Sequence, residues 1–156
     1  MTTFKLIDEE GEDLEIVRLL FREYAAELQE DLCFQSFDAE VKDPLKKYVQ
    51  PGGCIILAHI DGEPAGCIAL MPMESAACEM KRLYVRPAYR KTGLGKVLVA
   101  KLINFAEDNG FHKMKLDTLG RLQPAIRLYE RFGFTHTNPY YSNPISDAVY
   151  MEKQLR

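Results

Sequence analysis

Apolar residues recur at intervals of three and four along Leu14, Val17, Phe21, Tyr24 and Leu28, the period of a helix that buries one face. The pattern predicts a helix over residues 13–30, with Asp13 at its N-cap. Residues 4–7 read as a short strand closed by the turn-rich Asp8-Glu9-Glu10-Gly11. After the helix, Val41, Leu45, Tyr48 and Val49 give a weaker helical pattern, interrupted by Pro44 and ended by the loop Pro51-Gly52-Gly53.

The period then changes. Residues 54–60 and 64–71 are apolar runs of strand length, joined by Asp61-Gly62, which suits a tight hairpin turn whose central residues need positive φ. A turn after Pro72 leads into a strand over residues 78–85, which Pro87 keeps from continuing. Leu94, Leu98, Leu102 and Phe105 mark one face of a helix over residues 93–109, with Gly110 just past its end. A strand over 113–118 follows, then a helix with Pro124 in its first turn and Gly133 as its stop. Strands over 134–137 and 148–155 complete the chain, separated by a loop containing Tyr140 and Tyr141. No repeat or linker is visible, and 156 residues suit one domain over residues 1–156.

Charge is divided unequally. Residues 1–43 carry 13 acidic and four basic side chains, and the remainder carries 10 acidic and 16 basic. An acidic N-terminal part thus faces a basic remainder, which argues against nucleic-acid binding. No apolar run reaches the roughly 20 residues of a membrane helix and no signal-peptide core is present, so no membrane partner is expected and the cytoplasm is the default compartment. Cys33, Cys54, Cys67 and Cys78 match no metal-ligand spacing and read as buried thiols, and the three histidines are isolated, so no metal site is inferred.

The basic charge is concentrated. Seven Lys or Arg residues lie between Glu79 and Phe105, and no acid occurs between Met80 and Ala106. A helix starting at Gly93 and Gly95 presents unpaired N–H groups and the positive end of its dipole, which together make an anion site open to close approach. Two familiar phosphate motifs fail here. A Walker A loop would need Gly at position 90 and Ser or Thr at 97, where Arg90 and Val97 stand, and a dinucleotide fingerprint would need Gly in place of Leu98.

Arg90-Lys91-Thr92-Gly93-Leu94-Gly95, preceded by the strand Leu83-Tyr84-Val85, resembles the acetyl-CoA motif of GNAT-type N-acetyltransferases. The later block from Ala125 through Leu128, Tyr129, Gly133 and Phe134 is similar to a second segment of that family. The resemblance implies an α+β (α/β) fold with a central, mostly antiparallel mixed sheet of about seven strands, splayed between the fourth and fifth, with helices on both faces. It also implies acetyl-CoA as cosubstrate, without a metal. The pantetheine arm would pair with Leu83, Tyr84 and Val85, and the pyrophosphate would rest on Arg90, Lys91, Thr92, Gly93, Leu94, Gly95 and Lys96, with Ala125 and Tyr129 also in contact.

The same resemblance implies an acyltransferase that moves acetyl directly to a primary amine. Such chemistry needs a neutral amine, a polarised carbonyl and a proton source for the departing thiolate. Tyr129 falls where the family places a tyrosine at the CoA sulfur, as general acid, and a main-chain N–H near Val85 is the oxyanion donor. Glu79 is the candidate general base, with Asp117 and Glu27 behind it. Leu122 replaces an Asn frequent in the family, removing one polar contact to CoA. The acidic first 43 residues suggest a small cationic amine as acceptor, with Tyr140 and Tyr141 lining its pocket. A non-catalytic CoA-binding or sensing module is the alternative, and nothing in the sequence excludes a homodimer.

Overall fold

The chain runs β1 (Thr2–Leu6), α1 (Glu12–Leu28), α2 (Phe37–Lys42), α3 (Pro44–Lys47), β2 (Cys54–Ile60), β3 (Glu63–Pro72) and β4 (Ala77–Val85). It continues α4 (Leu94–Asp108), β5 (Lys113–Leu119), α5 (Gln123–Arg131), β6 (Thr135–His136) and β7 (Ala148–Gln154). This computed structural model describes residues 1–48 and 51–156, without the Phe34 side chain. The strands form one sheet in the order β1-β2-β3-β4-β5-β7-β6, with every neighbouring pair antiparallel except β4 and β5.

The hydrophobic periods read from the sequence become the two layers. α4 covers one face, burying Leu94, Leu98, Val99, Leu102, Ile103 and Ala106 against Cys54, Ile56, Ile68, Leu70 and Met80 of β2 to β4. α1 covers the other with Leu14, Val17, Leu20 and Phe21, packed with Val41 and Tyr48 on Ile55, Leu57 and Ala69. Burying one such aliphatic side chain stabilises the fold by about 1.5–3 kcal/mol, so these faces dominate its stability.

Two details differ from the sequence reading, and a third, the hairpin turn, agrees with it. α1 begins at Glu12 after Gly11, so Asp13 lies in its first turn, where its charge still meets the positive end of the dipole. The pattern from Val41 to Tyr48 is two short helices, because Pro44 starts a new one as its first-turn residue. Val49, assigned to that pattern, lies outside the described residues. The Asp61-Gly62 hairpin has φ of 49° and 84°, the left-handed pair that its turn requires.

Two irregularities in β4 shape the centre of the sheet. On its β3 side the ladder runs from Pro72↔Cys78 to Ala69↔Lys81 and resumes at Cys67↔Tyr84, leaving Arg82 and Leu83 together opposite Ile68. This is a β-bulge, with Arg82 at φ 60°. It reverses the alternation of side chains along the strand. Cys78 and Met80 before it, and Leu83 and Val85 after it, face the α4 core, whereas the consecutive Lys81 and Arg82 reach Gln35 and Glu40 on the α1–α2 side. Beyond the bulge β3 comes so close that a Cβ on Gly66 would stand 2.6 Å from the Tyr84 carbonyl oxygen, so only glycine fits.

On its β5 side, β4 pairs only through Ala77↔Lys113, Cys78↔Met114 and Glu79↔Lys115. The two strands then diverge, β4 to Val85 and β5 to Leu119, with no ladder between them. The sheet opens into a V whose inner edge carries main-chain groups that a continuous sheet would pair.

Candidate active site

The helix after β4 starts as the glycines require. Gly93 adopts φ 84° as the N-cap of α4, a left-handed conformation that strains other residues. Thr92 fixes the turn by donating its hydroxyl to Tyr89 O at 2.6 Å and accepting from the Leu94 N–H at 3.3 Å. Val97 N is the first to bond back along the helix, to Gly93 O at 3.2 Å, so the N–H groups of Gly95 and Lys96 point out of the helix end. Lys91 and Lys96 are exposed and have no ion-pair partner among the described residues. Arg90 is committed elsewhere: it donates to Val85 O at 2.9 Å and to Glu27 of α1 at 2.6 Å. Lys91 and Lys96 therefore hold the uncompensated charge of the loop.

Between the diverging ends of β4 and β5 lies a cleft of about 110 Å³. Met80 to Leu83 form one wall and Leu116 to Leu119 the other; Leu122, Ala125 and Tyr129 of the α5 region and Tyr24 and Leu28 of α1 close it. The Tyr129 ring packs edge-on against Phe134 at 6.0 Å, which holds the side chain toward the cleft. Its hydroxyl has no hydrogen-bond partner among the described residues, and burial pushes its pKa above the usual tyrosine value.

Polar groups converge on the same cleft. Asp117 lines it and accepts hydrogen bonds from the Tyr141 hydroxyl and, at 3.1 Å, from Asn143 Nδ2. Tyr141 also accepts from Gln35 Nε2 at 3.1 Å, and Gln35 Oε1 accepts from Lys81 Nζ at 3.3 Å. Glu79 is only 3% exposed and accepts from the Tyr140 hydroxyl at 2.6 Å, with Lys81 Nζ 3.9 Å away. Burial, only partly offset by the charge of Glu79, lowers the Lys81 pKa to about 8.

The neighbouring Arg82 is neutralised by structure. Its Nε and Nη2 donate to the two Glu40 oxygens at 2.8 and 2.9 Å, and its guanidinium lies over the rings of Tyr24 and Phe37 at 5.6 and 5.2 Å. Burial alone would raise the Glu40 pKa, but the hydrogen bonds and charge of Arg82, aided by Lys47, hold it down at about 2.

The residues singled out in the sequence fall into three groups. Leu83, Ala125 and Tyr129 line the cleft, and Arg90 to Lys96 form the adjoining loop and helix start. Tyr84 turns its ring to the α1 side and donates to Glu23 at 3.2 Å, leaving its main chain to the edge of the V. Glu79 lies on the last paired rung, behind Tyr140, while Asp117 stands on the cleft wall. The sequence reading did not select Lys81, Gln35, Glu40 or Arg82. The consecutive cations Lys81-Arg82 in an otherwise apolar strand were the available signal, because they break the alternation that a regular strand keeps.

The acids of the first 43 residues are largely occupied within the fold. Glu23 pairs with Arg86 at 2.8 Å, Glu27 with Arg90 at 2.6 Å and Glu30 with Arg121 at 3.3 Å. Much of the division of charge in the sequence is thus a seam between α1 and the loops that follow β4 and β5. Three of the cysteines are buried, as their apolar surroundings suggested, whereas Cys33 is exposed. Among the described residues no His, Cys, Asp and Glu are grouped to hold a metal, and no helix is long and apolar enough to cross a membrane.

Comparison with known proteins agrees with this arrangement. The sequence model of the acetyltransferase (GNAT) family matches residues 14–134. An uncharacterized N-acetyltransferase of Schizosaccharomyces pombe is 44% identical over 146 residues, covering 92% of this chain and 90% of the relative. A GNAT-family acetyltransferase of Staphylococcus aureus shares the fold with a TM-score of 0.80 at 19% identity, over 99% of this chain and 100% of its own. A Bacillus subtilis acetyltransferase in complex with CoA superposes with a TM-score of 0.69 at 21% identity, over 100% of both chains. The family model over residues 14–134 and the 44% identical relative place the chain: it belongs to the GNAT family of acetyltransferases.

Proposed function

We propose that the chain is an acetyl-CoA-dependent N-acetyltransferase that passes the acetyl group directly to the primary amine of a small molecule, cationic in solution at that amine. The single observation that carries this reading is the placement of the α4 helix start, with Gly95 beside Val85 of β4 and Leu128 of α5, at the end of the strand that opens from β5 onto the cleft lined by Tyr129. The Bacillus subtilis fold relative was solved with CoA, and this chain has features that suit such a ligand: an unpaired strand edge for its amide arm and, for its phosphates, a helix start with two lysines that have no ion-pair partner among the described residues.

The residues divide the chemistry as follows. Free main-chain N–H groups on the open edge of β4 polarise the thioester carbonyl. The Tyr129 hydroxyl donates a hydrogen bond to the departing sulfur. Because burial raises the Tyr129 pKa above that of a thiol near 8.5, complete proton transfer would run uphill, so Tyr129 stabilises the thiolate and the final proton comes from the amine. The ammonium sheds two protons in becoming the amide, and Asp117, on the cleft wall, takes the earlier one, before attack, while the later one goes to the thiolate; Glu79, behind Tyr140, reaches the cleft only through that hydroxyl or a water. The narrow cleft between α1 and the loop that carries Tyr141 favours a small acceptor.

Isothermal calorimetry with CoA tests the first half, with a Kd of about 10–100 μM or tighter expected. Thiol release from acetyl-CoA across an amine panel tests the second. Absence of CoA binding, or undiminished binding in a Lys91→Glu/Lys96→Glu variant, would sink the reading.

A further inference from the structure

Lys81 is anomalous for a residue on the central strand of a sheet. It is 8% exposed, lines the cleft, and makes one hydrogen bond among the described residues, to Gln35 Oε1 at 3.3 Å. An ammonium has three donors, and Glu79 at 3.9 Å is beyond hydrogen-bond range and already accepts from Tyr140. The next residue shows that the fold can neutralise a buried cation, since Arg82 is gripped by both Glu40 oxygens. Lys81 is instead left with spare donors beside an open cleft, and its pKa of about 8 reflects that incomplete compensation. Across the V, on β5, stands the carboxylate of Asp117.

We infer that the acceptor is a small amino acid, its carboxylate held by Lys81 and its amine directed toward Asp117; this rests on the acetyl-transfer reading above. A carboxylate supplies the acceptor lone pairs that Lys81 lacks, and Asp117 supplies the counter-charge for the amine and takes its proton. A polycation is disfavoured by the same observations: it would bring positive charge against Lys81, while Glu23, Glu27 and Glu30 of α1 are already paired with arginines.

Matched triplets test this directly. The purified full chain is given acetyl-CoA with each of a set of α-, β- and ω-amino acids, the corresponding carboxamides and the decarboxylated amines, and thiol release is followed. For the triplet that reacts best, the acid should exceed the amide and the amine in kcat/KM by about tenfold or more, since a site built to bond a charged group discriminates against its absence. Lys81→Met should bring the acid-to-amide ratio close to one, chiefly through KM for the acid.

Equal or faster turnover of the amide or amine by the wild-type protein overturns the inference without need of any variant. An acid preference that survives in a cooperatively folded Lys81→Met protein overturns it as well, as does mass-spectrometric recovery of the acetyl group on Lys81 itself in place of the amine. Calorimetry on the same preparation separates the two levels. Failure to bind CoA defeats the acetyl-transfer reading, whereas CoA binding with turnover indifferent to the carboxylate, or with silence across the whole panel, defeats the amino-acid assignment.

Discussion

Two buried cations stand side by side on β4, and their surroundings treat them in opposite ways. Arg82, at the bulge, meets Glu40 bidentately under α2, with two aromatic rings against its guanidinium, and the pair is almost sealed from water. Lys81, one residue earlier, meets an amide oxygen and a distant carboxylate at the edge of a cleft. The first region is closed and holds an unusual backbone in place; the second is open and holds charge in reserve. A strand that must both bend and bind separates the two tasks onto adjacent residues, and the bulge is what lets both point the same way.

The largest effect should come from the closed region. Glu40→Ala leaves a guanidinium buried without its partner beneath α2, which typically destabilises by about 3–5 kcal/mol. Chemical denaturation should show that loss near neutral pH. The sign with pH follows from the depressed Glu40 pKa: its contribution is fully present above the ordinary value of 4.5 and disappears as pH falls through about 2. Wild type and variant should therefore converge in stability in strong acid. A loss below about 1 kcal/mol at pH 7 would show that the Glu40–Arg82 pair does not hold the bulge.

Much of this architecture is legible in the sequence, and what is not has a physical cause. The α4 helix and its glycine start are local signals, since Leu94, Leu98 and Leu102 repeat at helical spacing and Gly93 takes the left-handed conformation that only a local backbone demand requires. The Asp61-Gly62 hairpin is local in the same sense. The bulge is not. Arg82 occupies a conformation that favours glycine, and what holds it there is Glu40, 42 positions away in sequence. Likewise Glu79 reads as a strand-end acid, yet it is buried because Tyr140, from a loop 61 residues later, folds back over it. Asp13 reads as a cap and lies within the helix because Gly11 opens the turn instead. Long-range pairing decides the charged positions, and the chain order of residues does not display it.

The open region should respond in rate before stability. Tyr129→Phe removes one hydroxyl that has no hydrogen-bond partner among the described residues, so its melting temperature should change little. Loss of the hydrogen bond to the departing sulfur should lower kcat by about 30- to 100-fold, with KM for acetyl-CoA nearly unchanged, as for an interaction made chiefly in the transition state. Steady-state kinetics with the best amine decides the matter. A change in affinity without a change in kcat would make Tyr129 a binding residue and move the open region closer in character to the closed one.

The smallest effect, and the one that tests the contrast most directly, concerns the pH dependence of stability. Lys81 titrates near 10.5 in an unfolded chain and at about 8 in the fold. Between these values the unfolded state holds a proton that the native state has released, so Lys81 contributes a gain in stability with rising pH across that window, set against the opposite slope of the buried Cys54, Cys67 and Cys78 thiols, whose pKa burial raises. Relaxation and water entry around a buried charge reduce the gain to roughly 1–2 kcal/mol. Lys81→Met has no such group and keeps the thiols, so the stability difference between wild type and variant should shift in favour of wild type between about pH 8 and 10.5, whatever the offset at pH 7. Arg82 supplies the internal control, because its bond to Glu40 raises its pKa further from that window and adds no slope there. Parallel stability curves for wild type and Lys81→Met from pH 7 to 10.5 would mean that Lys81 is compensated as fully as Arg82, and the distinction between a closed and an open cation on β4 would fail.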